Sequence, residues 1–135
     1  MARILAATRC IAVLGAHPDP SRAAFYVPEH MHAHGYRVLP VNPAYAGREL
    51  FGAPVRGSLA ELGEPVDLVN VFRRSEALPG HLPEILALAP RPGAVWLQLG
   101  IRDDAFSAAL RAAGIEVVEG HCLMVEHQRF AAAQR

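Results

Sequence analysis

The chain has 135 residues, of which 52% are hydrophobic and 19% charged, and its net charge is zero with His counted as neutral. That length suits one domain with a real core, the composition excludes a disordered chain, and the balanced charge excludes the global basic field of a nucleic-acid or anionic-membrane binder. All 13 cationic residues are arginine, which excludes Schiff-base lysine chemistry and a P-loop lysine and leaves arginine and backbone N–H groups as the standing anion binders.

Residues 1–9 read as a lead-in with a turn of helix. Cys10 to Leu14 is a short, continuous apolar run stopped by Gly15, the mark of a buried strand. A Pro-rich turn, Ala16-His17-Pro18-Asp19-Pro20-Ser21, leads into a helical pattern from Arg22 to His34. Pro28 is tolerated near a first turn, so the helix proper is expected to start around Tyr26, and Gly35 is its C′ residue. Tyr36 to Val41 is the second strand, closed by Asn42-Pro43, because the residue before proline is pushed out of the α region.

Residues 44–57 read as loop. Ser58 and Glu61 have capping-box spacing and predict a short helix over 59–62. Val66 to Phe72 is the third strand, left through Arg73-Arg74. A helix over 76–88 follows, its first half in doubt because of Pro79, Gly80 and Pro83. Ala94 to Leu99 is the fourth strand, ended by Gly100. Asp103 or Asp104 opens a helix to Ala113, ended by Gly114, and Ile115 to Val118 is the fifth strand. Glu119 to Cys122 leads into a final short element, and residues 128–135 are expected to fray.

Strands alternating with helices predict an α/β fold: a Rossmann-like, doubly wound, five-stranded parallel sheet in a single domain over 1–135. An order of 3-2-1-4-5 is preferred to 2-1-3-4-5, because the opening turn looks built for a phosphate. In such sheets ligands bind beyond the carboxyl ends of the strands. The first turn lacks the second and third glycines of the dinucleotide fingerprint. The second strand ends in Asn42, not in the Asp or Glu that takes a ribose hydroxyl, and the next charged residue is Arg48. Both departures favour a nucleotide with an extra phosphate, NADP or coenzyme A, over NAD.

Four motifs in order, Ile11-Ala12-Val13-Leu14-Gly15-Ala16, Gly35 to Pro43, Val66 to Arg74 and Trp96-Leu97-Gln98-Leu99-Gly100, resemble the small stand-alone CoA-binding domain proteins, which are similar to the CoA-binding domain of the succinyl-CoA synthetase α subunit. The resemblance runs from about Arg9 to Phe130. It implies that Gly15, Ala16 and His17, with Pro20 and Arg22, form the phosphate loop. It places Asn42 and Pro43 near the adenosine end, and Phe72, Arg73, Gln98, Leu99 and Gly100 at the third and fourth strand ends. Cys122 matches a cysteine frequent after the fifth strand. His17 and Ala24 stand where the family usually carries hydroxyl residues, and His17 is a replacement phosphate donor or a mark of drift. Arg22, Arg48 and Arg73 are candidates for the 3′-phosphate, Arg22 and Arg73 being preferred.

The expected function is non-catalytic binding of coenzyme A or an acyl-CoA, as sensor, carrier or accessory subunit. The alternatives are an NADP-dependent or other nucleotide-using enzyme, and an interaction domain with a vestigial pocket. No acid/base pair or nucleophile constellation is assigned, and the phosphohistidine and ATP-grasp machinery of the synthetases lies outside such a domain. His30 and His34 share a helix face as zinc ligands can, but a partly exposed helix end is the preferred reading and no metal ligand is assigned. No apolar run reaches transmembrane length and no secretory leader is recognised, so the expectation is a cytoplasmic protein with reduced thiols and no nucleic-acid or membrane partner.

Overall fold

The structure, a computed structural model, describes residues 1–134. In chain order its elements are α1 (Ala2–Ala7), β1 (Cys10–Leu14), α2 (Ala23–Ala33), β2 (Arg37–Val41), β3 (Glu49–Leu50), β4 (Ala53–Pro54), β5 (Leu68–Val71), α3 (Leu78–Leu86), β6 (Ala94–Leu97), α4 (Asp104–Ala112), β7 (Glu116–Val118) and α5 (Leu123–Ala133). Five strands form one parallel sheet in the order β2-β1-β5-β6-β7, and β3 and β4 make a small antiparallel hairpin.

The sheet is covered on both faces, which is why its strands read as unbroken apolar runs. Ala12, Leu14, Val69, Val71, Val95 and Leu97 face Leu78 and Ile85 of α3 and Phe106 and Leu110 of α4. Ile11, Val13, Leu68 and Trp96 face Ile4 and Leu5 of α1, Val27 and Met31 of α2, and Leu123 of α5. The α/β, doubly wound reading therefore holds.

The strand order does not. Counted along the chain the five strands lie 2-1-3-4-5, not 3-2-1-4-5, because the third strand pairs with β1 on the side away from β2. Asp67 fixes that choice: its carboxylate accepts the N–H groups of Arg9 and Cys10, each at 2.9 Å, and its own N–H donates to the Cys10 carbonyl at 2.9 Å. The place beyond β2 is taken by the end of the region read as loop. Arg56 makes a parallel bridge to Val41, with Arg56 N–H to the Pro40 carbonyl at 3.0 Å and Asn42 N–H to the Arg56 carbonyl at 2.9 Å. Counting that rudimentary strand restores the Rossmann order on the phosphate-loop side.

Three local expectations also change. Helix α2 starts at Ala23, with Pro28 inside it, not at Tyr26. Pro28 has no N–H for the Ala24 carbonyl four residues back, and that carbonyl instead accepts from the His17 N–H at 3.3 Å, so the cost of the proline is offset by a tie to the phosphate loop. The Ser58 segment is a 3-10 turn over Leu59–Glu61, and the Ser58 hydroxyl donates to Glu61 rather than capping the backbone. Residues 128–133, expected to fray, continue α5, where half-buried Phe130 packs on the core. Asp103 is the N-cap of α4, accepting from Phe106 N–H at 2.9 Å.

Candidate functional site

Where the sheet changes direction, between β1 and β5, the turns after the two strands part and leave a crevice, as open α/β sheets do. Gly15 ends β1 with φ +87°. A Cβ there would lie 2.6 Å from the Phe72 carbonyl oxygen and 3.1 Å from Cδ of Arg73. Glycine is thus required twice, for the left-handed backbone and for the close approach of the two turns.

The loop after Gly15 is held by its own polar groups. Asp19 N–H donates to His17 Nδ1 at 3.0 Å, which places the proton of the neutral imidazole on Nε2, and Nε2–H meets the Tyr45 hydroxyl at 3.0 Å. In this arrangement His17 has no ring N–H left for a phosphate: it clamps the loop to the turn after β2. Buried Asn42 does the same from the other side, donating through Nδ2 to the Ala16 carbonyl at 3.0 Å and accepting from Ala44 N–H at 3.0 Å. Asp19 accepts from the backbone N–H and the hydroxyl of Ser21 at 2.9 and 2.8 Å, and these bonds, the backbone one foremost, hold its carboxyl below the usual carboxylate range.

What is left over lies around the crevice. No side chain caps α2, so among the described residues the N–H groups of Ala23 and Ala24 have no protein partner, nor has that of Ala16. Nε of Arg73 is buried and also lacks a hydrogen-bond partner, and Arg22, Arg73 and Arg74 enter no ion pair among the described residues. A buried guanidinium N–H without an acceptor is costly, and an arriving anion would supply one.

The expected site residues divide as follows. Gly15, His17, Arg22, Asn42, Phe72 and Arg73 line one cavity of about 650 Å³. Pro43 lines an adjoining recess of about 220 Å³ with Asn42, Gly57 and Arg73. Gln98 and Leu99 line a cleft of about 450 Å³ that continues past Phe72 and Arg73 to Cys122. Arg73 is common to all three. Ala16 is fully buried beneath the loop, and Pro20 and Gly100 line none of the three recesses. Gln98 is buried and engaged: its Oε1 accepts from Leu123 N–H at 2.9 Å, capping α5, and from Asn70 Nδ2 at 3.3 Å, while its Nε2 lies 3.5 Å from Cys122 Sγ. Arg48 lies 5.9 Å above the Tyr45 ring and outside the cavity.

The sequence pattern of the CoA binding domain family matches residues 9–128. The chain belongs to that family. The chain is 38% identical over 125 residues to the uncharacterized protein YneT of Bacillus subtilis (strain 168), a match that covers 92% of this chain and 89% of YneT. Its fold is similar to that of cell-free ID.343 from Thermus thermophilus, at TM-score 0.91 and 57% identity over 95% of this chain and 94% of that one. It is also similar to a hypothetical protein from Pyrococcus horikoshii OT3, at TM-score 0.88 and 29% identity over 96% and 88%. Sequence reasoning placed Arg74 in a qualifying strand-end turn but not among the site residues, and it missed Glu76 in the lining of the main cavity and Tyr45 as the partner of His17. Arg74 had a signal, since it follows Arg73 directly past a strand end. Tyr45 had none, because its partner lies 28 residues away.

Proposed function

We propose that this chain binds coenzyme A or an acyl-CoA at the carboxyl ends of β1 and β5 and releases it unchanged, acting as a sensor, carrier or accessory subunit. The observation that carries this reading is Arg73, which lines all three recesses and whose buried Nε has no partner among the described residues, beside unpaired N–H groups and two further arginines without an ion pair there. A polyanion with a diphosphate and a 3′-phosphate matches that set: N–H groups at Ala23 and Ala24 take the diphosphate, and Arg73 takes the phosphate toward the adenosine recess at Pro43. The pantetheine arm fits the cleft past Phe72 and exposed Leu99, with its thiol toward Cys122. Binding without reaction is supported by how the polar side chains around the loop are engaged: His17, Asn42 and Gln98 each hold backbone, and the His81–Glu84 pair lines the adjoining recess rather than the main cavity. No helix of the described chain is long and apolar enough to cross a membrane.

Thermal-shift measurements with CoA, acetyl-CoA, dephospho-CoA, NADP and NAD test the reading. Stabilisation by CoA and acetyl-CoA, reduced for dephospho-CoA and absent for NAD, is expected. A shift with NADP alone replaces CoA as the ligand, and no shift with any of them makes the pocket vestigial.

A further inference from the structure

A second cluster lies away from the crevice, where the later part of α2 packs on α5. His30 and His34 are one turn apart on α2, and His127 reaches them from α5. One ring nitrogen from each lies within 4.8 Å of the other two. His30 Nε2 and His127 Nδ1 are already 2.9 Å apart, close to the roughly 3.3 Å that two nitrogens keep when each is about 2.0–2.1 Å from one tetrahedral zinc ion. We propose that His30, His34 and His127 form a binding site for one zinc-class divalent cation that staples α2 to α5.

The surroundings fit such a site. His34 Nδ1 meets the His30 carbonyl at 2.7 Å, so that nitrogen donates and Nε2 keeps its lone pair, as the second nitrogen of a zinc-bound histidine ordinarily does. The buried His127 ring is set in place by Tyr36 at 5.5 Å and Phe130 at 6.2 Å between ring centroids, and the Tyr36 hydroxyl is itself tied to the Leu5 carbonyl at 3.2 Å. Where one of the facing nitrogens of His30 and His127 carries the proton of their mutual hydrogen bond, that ring binds metal by moving the proton to its other nitrogen, with no net release. His34 is exposed, so the fourth position opens to water and the site is a three-histidine set with one solvent ligand. Imidazole donors without thiolate or carboxylate select zinc, cobalt, nickel or copper over magnesium and calcium.

The test uses the full chain without a histidine tag, stripped with EDTA and titrated with zinc chloride or cobalt chloride. The expected result is one ion per chain, a Tm rise of about 5 °C with zinc, and visible absorption typical of tetrahedral cobalt. The double variant His30→Gln/His34→Gln, both residues being at least partly exposed, is expected to bind about 100-fold more weakly and to lose the Tm rise, while its response to CoA is unchanged. No stoichiometric binding by the unaltered chain at about 100 µM zinc, or undiminished binding by the double variant, overturns the site. A CoA response that fails in both proteins bears on the proposed function alone.

Discussion

The two edges of the sheet handle charge in opposite ways. At the amino-terminal edge charged groups are paired: Arg37 with Glu64, Arg3 with Glu116, and Asp67 with the N–H groups that open β1. At the carboxyl-terminal edge, around the direction change, Arg22, Arg73 and Arg74 have no acidic partner among the described residues and Arg73 Nε is buried without an acceptor, whereas Arg102 farther along pairs with Asp104 and Glu119. The same residue type closes the fold at the amino-terminal edge and is left open beside the direction change. An unpaired buried donor is a stability cost that persists where a ligand supplies the missing partner.

The sharpest way to break the open edge is Gly15→Val. It forces a branched side chain into φ +87° and onto the Phe72 carbonyl. A loss of about 3 kcal/mol of stability is expected, together with nucleotide binding; thermal denaturation and calorimetric titration with CoA read both.

The cysteines mark the two edges as well. Cys10 opens β1, and burial first, with Glu64 and Asp67 adding and Arg37 opposing, pushes its thiol from 9.0 up to about 11. A thiol raised that far is scarcely ionised at pH 8 and reacts slowly. Iodoacetamide followed by mass spectrometry is expected to label Cys122, which lines the cleft, well before buried Cys10, and CoA is expected to slow labelling of Cys122 alone.

Arg73→Met separates stability from binding. A lost charge-assisted hydrogen bond is worth about 1.5–3 kcal/mol, so CoA affinity is expected to fall roughly 10- to 100-fold. The Tm of the ligand-free variant is expected to be unchanged or raised, since the orphaned Nε is gone. His17→Ala removes the loop clamp to Asp19 and Tyr45 and is expected to cost about 1 kcal/mol of stability and several-fold in affinity. His17→Asn, which keeps an acceptor for Asp19 N–H, is expected to recover part of both. Smallest is Arg37→Ala at the paired edge: an exposed ion pair contributes about 0–1 kcal/mol, and CoA affinity is expected to stay the same.

The open edge was largely legible in the chain because strand ends announce themselves. Gly15, Asn42-Pro43, Phe72-Arg73 and Gln98-Leu99 each sit where an apolar run meets a turn signal, and the structure brings all seven of those residues to the linked recesses. Strand order was not legible, because it depends on Asp67 finding Arg9 and Cys10 more than fifty residues away. The start of α2 was misread because the carbonyl freed by Pro28 finds its partner outside the helix, at His17. The length of α5 was hidden because it buries Glu126 and His127 on its inner side, which blurs the apolar period. His17 looked like a phosphate donor until Tyr45 and Asp19 claimed its two nitrogens.

The contrast between the edges is tested most directly by following the backbone amides of the ¹⁵N-labelled chain during titration with CoA. Saturable shifts at Ala16, Ala23, Ala24, Phe72 and Arg73, with Cys10, Arg37 and Glu64 unmoved, are the expected result. Saturable shifts centred on the Arg37–Glu64 edge, or none at millimolar CoA, would contradict a ligand site built on the unpaired arginines.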